Sequence, residues 1–437
     1  MPKGKRKGNK GERSGRILDQ TATNLTSDDD SAFDNASVIS GMSECTVEEG
    51  TSETDELAQQ EAFEEKLLEA IDGLSQKSAQ GRTNCFDAVA KAMVMKYVPD
   101  FVFDRRMTVC DCVEKSLKKG RGTEQAAAAQ LPPLLCVQLG AGDASEEICK
   151  ALKPILSITA HDNSVLPTAR AKCCWSLGLI TFLAGGEMGE VLDLMQQMQQ
   201  VFSGSYLKGD GQLPSVTVEV AALHASAVSA WSLLLTLMSP GDVYQLLGCS
   251  NNFVPSLMQL SELLQSPHLE VRLSAGEAFA LIYELGREYN DDFADDFTLD
   301  LVETLRQLAT DSHKYRAKKD RKQQRATFRD ILHYIEDDRY TDVQVRFGTE
   351  TLILDSWSRR KQYEVLCQTL GSGLNLHLAE NELLRDVFQL GARILLSDGV
   401  QLKQSKLERH LMNAANFKAR TISRSKNRDK RSAVMQC

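Results

Sequence analysis

The sequence predicts a mostly α-helical protein, an armadillo- or HEAT-like solenoid of stacked helix pairs followed by a small α+β unit. Three observations carry this. From about Glu56 to Thr310 apolar residues recur at three- and four-residue spacing, as in "FEEKLLEAIDGL" and "MGEVLDLMQQMQQVF", the pattern of helices with one buried face. Within it, "RTNCFDAVAKA" from Arg82, "RAKCCWSLGLI" from Arg170 and "RLSAGEAFALI" from Arg272 align on an arginine, a small residue three later and an apolar block beyond. Small residues let neighbouring helices approach, and helix pairs repeating in units of about 40 residues bury each other's apolar faces as a solenoid. After the helical stretch, "DVQVRFGTETLILD" from Asp342 to Asp355 alternates apolar and polar residues about Gly348, which predicts a β-hairpin.

Taken in order, residues 1–56 form a tail that is basic, then acidic. No Lys or Arg occurs from Ile17 to Glu56, and "SDDDSAFD" and "TVEEGTSETDE" have too little apolar surface to offset the entropy of ordering. Ser27 and Ser31 each have an acid three residues on, a pattern that suits an acid-directed kinase as well as a merely solvated tail. Residues 57–310 are the repeat domain. Helix starts are expected at "TVCD" (Thr108 to Asp111) and "DASEEI" (Asp143 to Ile148), and breaks at "LGAGD", "GSYLKGDGQLP" and "LMSPGD". Residues 311–335 form a basic linker helix, and 336–412 a small α+β domain with the hairpin and the helical "SWSRRKQYEVLCQTL". Residues 413–437 are a basic C-terminal segment.

Charge is distributed unevenly. Residues 1–16 hold seven basic side chains against one acid (+6), and 310–437 hold 25 against 16 (+9), so 17–309 carries −24 within a formal total of −9. Basic ends on an acidic middle point to a polyanion met by the ends. Eleven cysteines in no metal spacing read as reduced core thiols of a cytosolic or nuclear protein. No signal segment, lipid anchor or membrane span is expected. The histidines are scattered, and no nucleophile elbow, phosphate loop or zinc-binding helix motif occurs. The acids of "NDDFADDF" lack the spacing of a calcium loop. The expectation is therefore no catalytic residue, no cofactor, no metal and no small-molecule substrate.

Two basic blocks remain. In "KYRAKKDRKQQRATFR" the side chains Lys314, Arg316, Lys318, Lys319, Arg321, Lys322, Arg325 and Arg329 face one acid, Asp320. If the segment is helical, Lys314, Lys318, Lys322, Arg325 and Arg329 share one face. A solvated structural helix would mix signs to gain pairs one turn apart, so polyanion contact is the expectation. In "FKARTISRSKNRDKR", Phe417 precedes Lys418, Arg420, Arg424, Lys426, Arg428, Lys430 and Arg431, with Asp429 the single acid. That composition suits an arginine-rich segment that orders on RNA, or a nuclear import signal.

The segments "FVFDRRMTVCDCVEKSLKKG", "GEAFALIYELGRE", "LATDSHKYRAKKDRKQQRATFRDIL", "NELLRDVFQLG" and "ERHLMNAANFKARTISRSKNRDKR" resemble the interferon-related developmental regulator family, over about Glu61 to Arg431. The resemblance implies an armadillo-like domain, a small C-terminal domain and no enzymatic activity. It implies two roles: binding translationally inactive ribosomes, through ribosomal RNA and ribosomal proteins, and transcriptional co-regulation with deacetylase complexes. In the first, the segment around Phe417 to Arg431 corresponds to a helix lying in the mRNA path. A cytoplasmic location with a nuclear pool follows. Nothing is carried over to residues 1–56.

Overall fold

The computed structural model describes residues 53–248, 254–311 and 317–393, with side chains from residue 58 onward. The tail expected over 1–56, Lys314 and Arg316, the end of the α+β unit and the whole block Phe417 to Arg431 lie outside these residues, apart from the helical backbone of 53–56.

The first helices run α1 (Glu53–Gly73), α2 (Ala79–Met95), α3 (Pro99–Lys119), α4 (Thr123–Ala129), α5 (Leu131–Leu139), α6 (Asp143–His161) and α7 (Pro167–Ala184). They continue as α8 (Met188–Phe202), α9 (Val218–Leu235), α10 (Pro240–Gly248), α11 (Leu257–Leu263), α12 (Leu269–Tyr289), α13 (Asp295–Thr310) and α14 (Lys318–Asp337). The three expected breaks all fall between helices, and α6 begins at Asp143 as its acidic first turn predicts. The start expected at Thr108 does not occur. Thr108 is exposed in the middle of α3, which opens at Pro99 because proline's fixed φ suits the first helical position.

The arginine repeat has a common structural use. Arg82, Arg170 and Arg272 are each the fourth residue of their helix, α2, α7 and α12. Each turns back to carbonyls left open before that helix: Arg82 to Gln76 and Lys77 O (2.8 and 2.9 Å), Arg170 to Ala160 O (2.8 Å) and Arg272 to Ser266 O (2.6 Å). The guanidinium thus fastens one helix of a pair to the end of its predecessor.

Between these repeats lies α9, packed against α7, α8 and α12. It is apolar nearly all round because its neighbours cover most of it. This also explains why, contrary to the expectation of no such stretch, it is long and apolar enough by composition to cross a bilayer; most of it is buried in this core. Close approach is obtained with glycine: a Cβ on Gly178 of α7 would stand 2.8 Å from the Ala230 Cβ of α9, and one on Gly276 of α12 would stand 2.7 Å from the Phe328 ring of α14.

The C-terminal unit opens with the hairpin β1 (Val343–Phe347) and β2 (Glu350–Leu354), paired in register from Val343 with Leu354 to Phe347 with Glu350. Gly348 supplies the positive φ (54°) of its two-residue turn. Then come α15 (Trp357–Leu370), α16 (Leu374–Glu380) and α17 (Glu382–Val387). This unit lies across the repeats. From its N-terminal end onward, α15 meets α12 through Lys361 and Glu277 (2.9 Å), α9 through Gln362 and Thr236 (3.1 Å), and α7 through Thr369 and Trp175 (3.1 Å). Beyond it Gly373 runs against the Val94 carbonyl of α2, where any Cβ would collide, and His377 donates to Met93 O (3.1 Å). One buried apolar core therefore runs from Leu67 to Phe388.

Candidate functional site: a basic helix face

Helix α14 has two faces set by its period. Gln324, Phe328, Ile331 and Ile335 are buried against α12 and α13. At the start of this face the Gln324 amide oxygen accepts from Arg272 Nη2 at 2.6 Å, while its nitrogen donates to Leu308 O (3.2 Å) and Asp311 (3.1 Å). Toward the end, Arg287 donates to Ile335 O (2.9 Å), and Arg306 of α13 pairs with Glu336. The segment expected to link two domains is thus docked as one more helix of the stack.

Docking turns the other face outward. Lys318, Lys319, Lys322 and Arg329 are exposed, and Arg321 and Arg325 are half-buried. Among the described residues none of these six makes an ion pair, whereas Arg82, Arg306, Lys361 and Arg385 are all held by carboxylates. The helix begins at Lys318, so Lys318, Lys322, Arg325 and Arg329 are the part of the expected stripe that the structure places, spanning roughly 16 Å at 1.5 Å per residue. Most of the signs oppose helix stability: Lys318 and Lys319 occupy the positive N-terminal end of the dipole beside the single favourable acid Asp320, while Asp337 and Asp338 occupy the negative end. Charges so placed do not serve the helix's own stability.

The unpaired face stands beside features that the sequence did not announce. Lys361, 4% exposed, is enclosed with Glu277 and Glu364; burial opposes its charge, but the two carboxylates outweigh it and hold its pKa above the usual lysine value. Glu284 of α12 accepts from the Ser358 N–H (3.0 Å) at the start of α15, and burial pushes its carboxyl up to about 7. Arg385 of α17 clamps Glu350 of β2 with two 2.9 Å bonds and reaches the carbonyls of Leu378, Leu390, Gly391 and Ala392. No spacing rule signals such pairs, because their partners lie as far as 84 residues apart. Among the described residues no group of three His, Cys, Asp or Glu side chains is placed to hold a metal, and Cys110, Cys136, Cys149, Cys173 and Cys174 are buried free thiols.

Comparison with known proteins agrees with the resemblance in the sequence. The chain matches the pattern described as interferon-related developmental regulator over residues 35–336, and the interferon-related protein conserved region over 381–432. The first match begins inside the acidic segment, earlier than expected, and ends within α14; the second contains the block Phe417 to Arg431. The chain is 41% identical to mouse interferon-related developmental regulator 2 over 389 residues, covering 88% of this chain and 87% of that one. It is 38% identical to the human regulator 1 over 412 residues, covering 93% and 90%, with the same figures for the pig protein. These names describe regulators of development. With the helical repeats, the two matches and this identity along most of its length, the chain belongs to the interferon-related developmental regulator family.

Proposed function

We propose that this protein is a non-enzymatic ribosome-binding regulator of translation, which occupies idle ribosomes with the basic C-terminal segment directed toward the mRNA path. The observation that carries the reading is the outward face of α14: four exposed cations without ion-pair partners among the described residues, on a helix whose other face is fixed to the repeat core. Cations in that condition gain most by displacing counterions from a dense array of phosphates. Ribosomal RNA with its proteins is such an array, and the cytoplasm is where this function would be exercised.

The other reading, a nuclear co-regulator that holds deacetylase complexes through its solenoid, needs an open groove along the repeats. Here α15 and the turn after it lie across α12, α9, α7 and α2, where a partner peptide would lie. This favours the ribosome over the groove-binding adaptor.

The test is co-sedimentation with ribosomes on sucrose gradients at two salt concentrations. Lys318→Glu, Lys322→Glu and Arg329→Glu together should lower binding at least tenfold near physiological salt and flatten its salt dependence. A folded triple variant that sediments with ribosomes like the wild type overturns the assignment.

A further inference from the structure

The exposed basic face of α14 continues past Arg329 to His333, one turn on, and there meets a cavity of about 140 Å³ walled by Asp330, His333, Arg339, Tyr340, Trp357 and Arg360. The cavity floor is a stack. Trp357 is 4% exposed, wedged between Tyr334 and Tyr340 with ring centroids 5.9 and 5.8 Å away. The Arg360 guanidinium lies over the indole, 4.9 Å from its centroid, and the Arg360 side chain keeps 32% of its surface exposed. What an entering group meets is therefore the flat guanidinium backed by an aromatic ring, a surface on which planar rings stack. Beside it stands the Asp330 carboxylate, 3.7 Å from Arg360, with half of its side chain exposed. The Trp357 indole N–H is itself buried and has no acceptor among the described residues.

We infer that this cavity receives one unstacked nucleobase of the RNA strand whose phosphates follow the basic face of α14. The inference rests on the RNA-binding reading above and adds to it a base-contacting site. Its size admits a single ring system and is well below that of a pocket for a larger ligand. Arg360 supplies the stacking plane, and Arg339, 3.8 Å from Asp337 but with 76% of its side chain exposed, supplies a cation toward the adjoining phosphate. The Asp330 carboxylate accepts from an amino group on the base, so cytosine is preferred to uracil, which has none. The edge-to-face arrangement of Tyr340 and Trp357, 79° apart, offers no parallel pair of rings, so the base is held on one face only.

The test uses the full-length protein and three labelled single-stranded 12-mers, of cytidine, of uridine and of abasic spacers with the same phosphate number, at fixed salt. The wild type should bind the cytidine strand about five- to tenfold more tightly than the abasic one, with uridine between them. Arg360→Lys keeps the charge and removes the plane; it should bring cytidine down to the abasic level and leave abasic binding unchanged. Asp330→Asn should abolish the preference for cytidine over uridine. Thermal midpoints establish that each variant is folded, and Asp330→Asn, at a half-exposed side chain, decides the matter if Arg360→Lys melts early. Equal binding of all three strands by the wild type, or full base dependence in both variants, overturns the base pocket and leaves the RNA reading standing. Failure of the wild type to bind any strand, even at low salt, overturns both.

Discussion

Two helices of this protein carry adjacent basic residues and use them in opposite ways. In α14, Lys318, Lys319 and Lys322 stand in solvent without carboxylate partners among the described residues. In α15, Arg359, Arg360 and Lys361 each have one: Asp355 at 3.6 Å, Asp330 at 3.7 Å and Glu277 at 2.9 Å. The residue types are alike, so what differs is the neighbourhood that the fold delivers. An exposed lysine is already solvated and costs nothing to leave unpaired, whereas a buried one must find a carboxylate or lose its charge. Charge in α14 is thus available to a partner, whereas in α15 Arg359 is paired within its own unit and Arg360 and Lys361 pair with α14 and α12, joining the C-terminal unit to the repeats.

The comparison breaks first at Lys361. Lys361→Ala leaves Glu277 and Glu364 facing each other without their shared cation, and should cost about 3 to 5 kcal/mol, seen as a large fall in the thermal midpoint. A midpoint unchanged from the wild type would show that α15 is not held by this pair.

Arg272→Met comes next. Its side chain is 2% exposed and bonded to Ser266 O and Gln324. Leaving those acceptors buried should cost roughly 2 to 3 kcal/mol and loosen α14, detectable as faster amide exchange over 324–335. Equal loss at Arg272→Lys would separate geometry from charge, since lysine cannot reproduce the two-pronged contact to Gln324.

Glu284→Gln sharpens the comparison through pH. Burial raises the folded-state pKa of Glu284 to about 7 from an ordinary 4.5. A raised value means that the folded form prefers the proton. The stabilisation is fully present below about 4.5 and is lost as pH rises to about 7, where ionisation in the folded state also sets in. Above pH 7 the wild type should sit about 3 kcal/mol below the glutamine variant, and near pH 4.5 the two should nearly coincide, as read from denaturant midpoints across that range. A difference independent of pH would remove ionisation as the cause.

The smallest effect on stability is expected where the effect on binding is largest. Reversing Lys318, Lys322 and Arg329 should change stability by no more than about 0.5 kcal/mol, because these side chains support nothing inside the fold. A loss of several kcal/mol would mean that the α14 face is structural and that its resemblance to the α15 run extends to its use.

The helical class, the positions of the breaks, the hairpin about Gly348 and the family resemblance were all legible in the sequence, because each depends on local period, on turn residues or on contiguous motifs. Also legible was the repeat of Arg82, Arg170 and Arg272, though not its purpose. The start of α3 was misread because Thr108 followed by Asp111 has the composition of a cap, while the apolar residues on either side, Val102 and Val109, continue one helix through it. The basic character of α14 could be read directly. Its buried half could not, since Gln324 looks like another solvated polar residue until Arg272, 52 positions earlier, is brought to it.

By itself, then, the sequence determined which segments coil, where they stop and which of them are rich in positive charge, for these follow from side-chain spacing and backbone preference within a few turns. Only the tertiary structure decided which charges remain available. The stacking of α12, α13 and α14 left Lys318, Lys322 and Arg329 in water, and the path of α15 across the repeats enclosed Lys361 with Glu277 and set Arg360 on Trp357. The physical reason is that a charge's cost and reach depend on the solvent and the partners around it, and those are settled by contacts between residues far apart in the chain.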